Sequence, residues 1–274
     1  MLALNLPTHT SQFDPAYIAQ VKINNMPKYH WTADKPDQNY PVYSIAAPAK
    51  LPTSVDLRNF ASPIDDQGTL GSCTGNALAG AIDLLDNKLA HKSLRVSRLF
   101  IYYQERAMEN DIPQDAGARI SDGVTACSQT GVCLESIWPY TVSQFAVKPN
   151  QAAYADAAHR KITGASKCAD ITAIKTALAN GSPVVGGFMV YASFETAAVA
   201  RTGLMPIPNV TREQCLGGHA VCFVGYNDSK SWFIVRNSWG TSWGDKGYFY
   251  MPYQIITTPN MASDFWAITN VTNP

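Results

Sequence analysis

The order of the hydrophobic patterns along the chain is the feature that most constrains its fold. Leu78, Ile82 and Leu85 follow Cys73 at the spacing of one buried helical face, which predicts a helix that begins at Cys73. Further helical patterns, with capping or stop residues at their ends, cover residues 97–110, 122–130 and 170–180. Short apolar runs typical of strands follow at residues 183–190, 219–226, 232–236 and 247–251. Helices followed by antiparallel strands indicate an α+β fold with two lobes.

Composition argues against several classes of partner. The chain has 274 residues, of which 46% are hydrophobic, so it can bury a sizeable core. Lys and Arg together number 21, as do Asp and Glu, and this balance gives no reason to expect nucleic acid or a membrane surface as a partner. The longest apolar runs, such as residues 183–190, are too short to span a bilayer.

Residues 1–50 differ from the rest of the chain. Prolines interrupt every stretch of this segment, at Pro7, Pro15, Pro27, Pro36, Pro41 and Pro48. We therefore expect an N-terminal extension or short pro-segment over residues 1–50, and a folded unit over residues 51–274. The N-terminus shows neither a basic region nor a long apolar stretch, so no signal peptide is visible in the sequence.

A glycine-containing loop runs directly into the helix at Cys73. Residues 67–73 read Gln-Gly-Thr-Leu-Gly-Ser-Cys. A thiol at a helix N-terminus lies beside unpaired N–H groups and the positive end of the helix dipole, and both favour the nucleophilic thiolate. The same local pattern would equally fit a buried structural cysteine.

Two further candidates lie in the β-rich half. His219 follows two glycines and opens an apolar strand, and Asn237 follows the apolar run of residues 232–236. Taken singly, such a histidine is more often a core residue and such an asparagine more often a turn residue. In this order, however, Cys73, His219 and Asn237 match a nucleophile, a base and a residue that orients the base.

The segments around these residues resemble the signature blocks of the papain family of cysteine proteases. The blocks are residues 67–74, 218–226 and 237–248, and two further landmarks lie at residues 51–58 and 131–140. The resemblance spans about residues 51–255. It implies a two-lobed papain-like fold with a helical first lobe, an antiparallel β-barrel-like second lobe and a cleft between them. It also implies a cysteine endopeptidase that acts on peptides or proteins through an acyl-enzyme, without a cofactor or metal.

The family's residue roles carry over to the matching positions. The resemblance implies that Cys73 is the nucleophile, His219 its base and Asn237 the residue that orients the imidazole. Gln67 would stabilise the oxyanion together with the backbone N–H of Cys73, and Trp239 would cover the hydrogen bond between His219 and Asn237. The residues implied to border the substrate are Gly71, Ser72, Gly117, Ala118, Gly187, Gly218 and Trp243.

The implied pocket for the second residue before the cut is bordered by small side chains. These are Gly187, Gly217, Gly218 and Ala220. Because they leave a wide apolar space with no carboxylate nearby, we expect a preference for bulky apolar or aromatic side chains over Arg at that position of the substrate.

The sequence departs from the family pattern around the implied cleft. Leu70 stands where the family usually has a cysteine, and residues 115–118 stand where it usually has the partner of that cysteine, so both ends of a disulfide are missing. Ala118 replaces a glycine that usually bonds the substrate backbone. Thr74 replaces an aromatic residue, and Gly218 replaces an Asp or Asn. None of these changes removes an implied catalytic group.

The six cysteines could form three disulfides, or two with two thiols left over. No C-x-x-C pair is present, which argues against a zinc or redox motif. Cys127 and Cys133 can close a short loop, and Cys168 and Cys215 are the expected second pair. Cys222 lies inside a predicted strand and is expected to be a buried free thiol. Two disulfides predict a secreted or lumenal location, whether extracellular, lysosome-like or periplasmic. We expect a monomer.

Other interpretations fit parts of the sequence. One is a papain-like protein that binds peptides without cleaving them. Another is an acyltransferase or transpeptidase that uses the same residues, and a third is a metal site, against which the lack of paired ligand spacing argues. For the N-terminal extension two roles stay open. The apolar and aromatic residues 26–31 could occupy the cleft and block it, or the extension could be a permanent strap on the back of one lobe.

Overall fold

A computed structural model describes residues 29–36, 39–48, 50–90 and 94–272. In this part of the chain, the first lobe is helical. Its helices are α1 Cys73–Ala90, α2 Arg98–Glu109, α3 Ile120–Gln129 and α4 Gln151–Ala157. No helix among the described residues is both long and apolar enough to cross a membrane.

The second lobe is one antiparallel sheet. Its strands are β1 Ser54–Asp56, β2 Ile162–Lys167, β3 Val184–Tyr191, β4 Cys215–Asn227, β5 Trp232–Arg236, β6 Tyr248–Pro252 and β7 Ala262–Val271. The order across the sheet is β2-β7-β3-β4-β5-β6, and β1 pairs with the end of β4. Short helices accompany it: α5 Ile171–Ala179, α6 Ala197–Thr202 and α7 Tyr253–Thr257. The α+β fold with two lobes is confirmed. The expectation of a barrel-like second lobe is corrected, since the described strands leave β2 and β6 as edges and close no barrel.

Helix α1 lies between the two lobes. It packs against α2 and α3 on one side and against β4 and β7 on the other. Leu78, Ile82 and Leu85 are all buried, which confirms the helical face predicted from their spacing. Because two lobes cover it, α1 is buried along residues 73–86 and gives its first residue, Cys73, a fixed position between them.

The predicted caps set several boundaries. The Ser97 side chain accepts a hydrogen bond from the Phe100 N–H at the start of α2, and the Asp170 side chain accepts one from the Ala173 N–H at the start of α5. Helix α3 begins two residues earlier than predicted, and Gly131 follows it with a φ of +88°. The strand predicted at 219–226 is the inner part of the longer β4.

The predicted disulfides are wrong. All six cysteines are free, and all but Cys215 are buried. The expected pair of Cys127 and Cys133 rested on separation along the chain, whereas a disulfide also needs Cβ atoms that face each other. Cys168 follows β2 and Cys215 begins β4, and β7 and β3 lie between those strands. Three strand spacings therefore separate Cys168 from Cys215, which is about 14 Å and too far for a disulfide. The expected oxidising compartment therefore loses its basis, while Cys222 is buried and free as predicted.

The described part of residues 29–48 is extended and contacts both lobes. Asp34 anchors it, because one carboxylate oxygen accepts the Ser121 N–H of α3 at 3.0 Å and the other accepts the indole N–H of Trp266 in β7 at 3.0 Å. Further along, the Tyr43 N–H donates to the carbonyl of Lys167 in β2 at 2.8 Å. We call residues 29–48 the arm. Residues 1–28 of the predicted extension lie outside the described residues.

Candidate active site

The loop of residues 67–72 brings Cys73 to the floor of the space between the lobes. Cys73 begins α1 and is fully buried. The Asn76 side chain, in the first turn of α1, donates to the carbonyl of Ser72 at 2.9 Å. The Ser72 hydroxyl lies 2.6 Å from the Tyr140 hydroxyl and accepts a second bond from the Asn76 side chain at 3.0 Å. Both contacts fix the loop just before Cys73.

Gln67 joins this loop to the second lobe. Its side-chain Nε2 donates to the carbonyl of Leu70 at 2.9 Å, and its Oε1 accepts the hydroxyl of Ser238 at 2.6 Å. The backbone N–H of Gln67 also donates to the carbonyl of Ser238 at 2.9 Å. With both ends bonded and the side chain fully buried, the amide has one defined orientation.

The β4–β5 hairpin brings His219 and Asn237 together. Cys222 in β4 pairs with Arg236 in β5, and this register places the strand of His219 beside the start of the Asn237 turn. Nε2 of His219 lies 2.8 Å from Oδ1 of Asn237. Because an amide oxygen can only accept, Nε2 carries the proton in this bond. The Ser238 N–H donates to the same oxygen at 2.9 Å, which fixes the amide in turn.

The Cys73 thiol lies beside the start of that hairpin. Burial raises the pKa of the Cys73 thiol to about 12, although backbone hydrogen bonds from Ala220, the residue after His219, and from His30 of the arm lower it. Burial therefore disfavours the thiolate while the arm covers the thiol.

An aromatic cluster lies next to His219. The ring of Trp239 stacks on the imidazole with centroids 5.0 Å apart and planes 25° apart. Trp243 meets Trp239 edge-on at 4.8 Å, and Phe194 contacts both indoles at 5.7 and 5.5 Å. This cluster removes water from one side of the His219–Asn237 hydrogen bond, which strengthens the bond.

The arm occupies the space between the lobes. The Trp31 N–H donates to the carbonyl of Gly218 at 2.9 Å, and the Thr32 N–H donates to the carbonyl of Ala118 at 3.0 Å. The arm therefore bonds the sheet lobe with one residue and the helical lobe with the next. Tyr29 is the first described residue of the arm. The centre of its ring lies 6.0 Å from the centre of the His219 ring and 5.9 Å from that of the Trp239 ring.

Glycines let the arm approach closely. A Cβ at Gly187 would lie 2.1 Å from the Trp31 indole, and a Cβ at Gly117 would lie 1.7 Å from the carbonyl oxygen of His30. Any side chain at either position would displace the arm. The implied substrate-bordering residues that contact or pair with His30 or Trp31 are Gly71, Gly117, Ala118, Gly187 and Gly218.

The sequence missed two residues that the structure adds to this site. Ser238 orients the Gln67 amide, and the carboxylate of Asp115 bonds the loop at Gly71. Neither carries a local signal, because each acts on a residue far away in the chain. Among the described residues, no group of three His, Cys, Asp or Glu side chains is placed to hold a metal ion.

A two-lobed fold with a cysteine at a helix N-terminus and a histidine–asparagine pair across the cleft defines a thiol-dependent class of hydrolase. A family model described as Papain family cysteine protease matches residues 51–268. The chain belongs to this family and is a cysteine peptidase by class.

Individual relatives agree with this assignment. The crystal structure of xylellain, a cysteine protease from Xylella fastidiosa, shares 38% identity and superposes with a TM-score of 0.82, covering 90% of this chain and 97% of that one. An uncharacterised peptidase C1-like protein of Acanthamoeba polyphaga mimivirus is 46% identical over 222 residues, which are 76% of this chain and 70% of the viral protein. Cysteine proteinase 2 of Entamoeba histolytica is 31% identical over 74% of this chain and 64% of its own length.

Proposed function

We propose that the protein is a cysteine endopeptidase that cleaves peptide bonds through an acyl-enzyme formed on Cys73. Nδ1 of His219 takes the proton of the Cys73 thiol, the sulfur attacks the carbonyl carbon of the substrate, and His219 then gives that proton to the departing amine as the C–N bond breaks. A water molecule, deprotonated by His219, then hydrolyses the thioester and restores the thiol. The observation that carries the proposal is the 2.8 Å bond between Nε2 of His219 and Asn237, which leaves Nδ1 as the nitrogen for Cys73.

Gln67 supplies the oxyanion donor in this proposal. One hydrogen of its Nε2 is used by the carbonyl of Leu70, and the other is available to a substrate oxygen beside the N–H of Cys73. The bond from Ser238 to Oε1 holds the amide in place before the reaction, so little reorganisation accompanies the development of charge.

We assign residues 1–50 to a blocking extension and residues 51–274 to the protease domain. Support comes from the direction of the arm. Tyr29 lies on the leaving-group side near Trp239, His30 lies at Gly71 and Gly117, and Trp31 lies at Gly187. A substrate with its N-terminal part in those pockets would run the opposite way. The arm can thus fill the cleft without presenting a peptide bond to Cys73 in the orientation that is cleaved.

The indole of Trp31 also supports the substrate preference. It fills the space beside Gly187 and Gly218 that corresponds to the second residue before the cut. A pocket that accepts an indole accepts other large apolar rings, so we propose a preference for aromatic side chains at that position. A peptide library would test it, and a profile led by Arg would contradict it.

The catalytic assignment is tested on the full-length protein with an epoxide-type thiol reagent followed to completion. We expect one reagent per chain on Cys73, with loss of peptide hydrolysis in step with labelling. Cys73→Ala should lose both while keeping its fold by circular dichroism. Cys215→Ala removes the only half-buried cysteine of the six and is the matched control, which should keep both.

Hydrolytic activity that persists in Cys73→Ala would refute the assignment. Labelling without hydrolysis would instead indicate a papain-like binding protein. Transfer of the acyl group to an added amine in place of water would indicate an acyltransferase. A monomer without nucleic acid or membrane partners completes the proposal, and the proposed secreted or lumenal setting rests on membership of the family and not on disulfides. The molecular mass of the protein in solution tests whether it is a monomer, and subcellular fractionation tests its location.

A further inference from the structure

The peptide group between Leu70 and Gly71 is bonded on both sides. Its carbonyl accepts the Nε2 of Gln67 at 2.9 Å. Its N–H donates to both carboxylate oxygens of Asp115, each at 3.0 Å. A peptide group is rigid and planar, so a shift of its N–H must also move its carbonyl.

Asp115 is itself held by the helical lobe. The hydroxyl of Tyr102, in α2, donates to Oδ1 of Asp115 at 2.6 Å and accepts the N–H of Gly117 at 3.1 Å. Burial, reinforced by the Asp115 charge, raises the pKa of the Tyr102 hydroxyl, so it remains a neutral donor. The guanidinium of Arg106 lies 4.1 Å from the centre of the Tyr102 ring. These contacts give the carboxylate a fixed position relative to α2.

An anionic acceptor does more here than fill space. A carboxylate that accepts the Gly71 N–H polarises the peptide group, and this makes the Leu70 carbonyl a stronger acceptor for Gln67. The chain of bonds from Tyr102 through Asp115 and the Leu70–Gly71 peptide therefore ends at the oxyanion donor.

We propose that Asp115 is a positioning residue that holds the Gln67 amide in its oxyanion-binding orientation through the Leu70–Gly71 peptide. The inference rests on the proposed function, because it assigns Gln67 a role in acyl transfer. It places Asp115 outside direct contact with the substrate and makes its effect on catalysis depend on Gln67.

The test compares two reactions of Cys73 in the full-length protein. The first is kcat/KM for a chromogenic peptide, and the second is the rate of alkylation by iodoacetamide at the same pH. Alkylation displaces iodide from a saturated carbon and develops no oxyanion, but it needs the same open cleft and the same thiolate. The ratio of the two rates therefore isolates oxyanion stabilisation and is unaffected by how often the arm leaves the cleft.

Asp115→Asn keeps the shape of the side chain and removes its charge. We expect it to lower the ratio of hydrolysis to alkylation about tenfold, less than the full loss of an oxyanion donor. The fall should lie in kcat rather than KM, with the alkylation rate little changed. Asp111→Asn is the matched control, since it removes a charge from the same segment without touching Gly71, and it should leave the ratio unchanged.

A double-mutant cycle completes the test. In a Gln67→Ala background, Asp115→Asn should lower the ratio no further, because the group on which it acts is gone. Multiplicative effects of the two changes, or an equal fall of hydrolysis and alkylation, would overturn the inference. Failure of the proposed function looks different, since the wild-type protein would then show alkylation without peptide hydrolysis.

Discussion

The two halves of the candidate site are held in place by different means. The positions of His219 and Asn237 are set by backbone pairing in the β4–β5 hairpin. The Asn237 N–H also donates to the backbone carbonyl of Gly247 at 3.0 Å. On the helical side, the loop of residues 67–72 is held largely by side chains. Asp115 bonds Gly71, the Tyr140 hydroxyl donates to the carbonyl of Gln67 at 2.9 Å, and Asn76 bonds Ser72.

This difference indicates where single substitutions act. Backbone pairing survives the loss of a side chain, so changes on the sheet side should remove chemistry without moving the frame. A side-chain hydrogen bond is lost when its side chain is removed. Substitutions around the loop should therefore displace Gln67 or Cys73 although neither residue has been changed. The predictions below separate these two kinds of effect, and the largest comes first.

The sheet half should lose chemistry but keep its geometry. We expect His219→Ala to lower kcat/KM by at least about a thousandfold, because the thiol loses its base and the leaving amine its acid. Asn237→Ala should cause a smaller loss, on the order of a hundredfold or less, because Asn237 orients the ring and does not react. Steady-state kinetics measure both losses, and circular dichroism should show that both proteins stay folded with the wild-type secondary structure.

The matched control for these two changes is His159→Ala, which removes an exposed histidine outside the site and should leave the rate unchanged. Equal losses in His219→Ala and Asn237→Ala would mean that the backbone register alone does not hold the imidazole. The contrast between the two halves would then be lost.

How much the sequence could predict follows the same division. Capped helices such as α2 and α5 were predicted within a residue or two, since Ser97, Asp170 and Gly181 mark their ends locally. Strand β2 was missed because it is a polar edge strand in which only Ile162 is buried. The proposed catalytic residues stand in recognisable local motifs. Asp115 acts on a loop 44 positions away and Ser238 on a residue 171 positions away, so only the fold reveals them.

The arm bridges the two halves, and its removal should have an intermediate effect. If it blocks the cleft, Trp31→Ala should raise kcat/KM severalfold, because the indole no longer fills the pocket beside Gly187. A chain that begins at Leu51 should show at least the same rise. Peptide hydrolysis rates and melting temperatures of the three proteins test this expectation.

Val42→Ala is the control for the arm, since Val42 belongs to it but is 63% exposed. A strap without an inhibitory role makes the opposite prediction. Loss of the arm would then lower the melting temperature, because the bonds of Asp34 and Tyr43 are lost, and the rate would stay the same or fall. A lower melting temperature without a rise in rate would mean that the arm does not block the cleft of the enzyme in solution.

The smallest expected effect lies within the helical half, at Glu105 in α2. Its carboxylate accepts the hydroxyl of Thr74, the residue after Cys73, at 2.6 Å. Burial, with smaller contributions from Asp122 and Glu109, raises the pKa of Glu105 to about 8 against the lowering effects of Thr74 and Arg106. Ionisation of Glu105 would raise the pKa of the Cys73 and Cys127 thiols. Glu105 is therefore protonated at neutral pH in the folded protein and ionised in the unfolded chain.

The sign of the pH dependence follows from this difference. An acid whose folded pKa lies above its unfolded value of about 4.5 costs no stability below that pH and destabilises the fold progressively as the pH rises towards 8. Glu105→Gln keeps the acceptor for Thr74 and removes the titration, so its free energy of unfolding should fall less than that of the wild type between these pH values. The buried Asp83, with a pKa raised to about 7, adds a fall of the same sign to both proteins and cancels in the comparison. Urea titrations across this range measure the difference, and parallel curves would mean that Glu105 is already ionised beside Thr74.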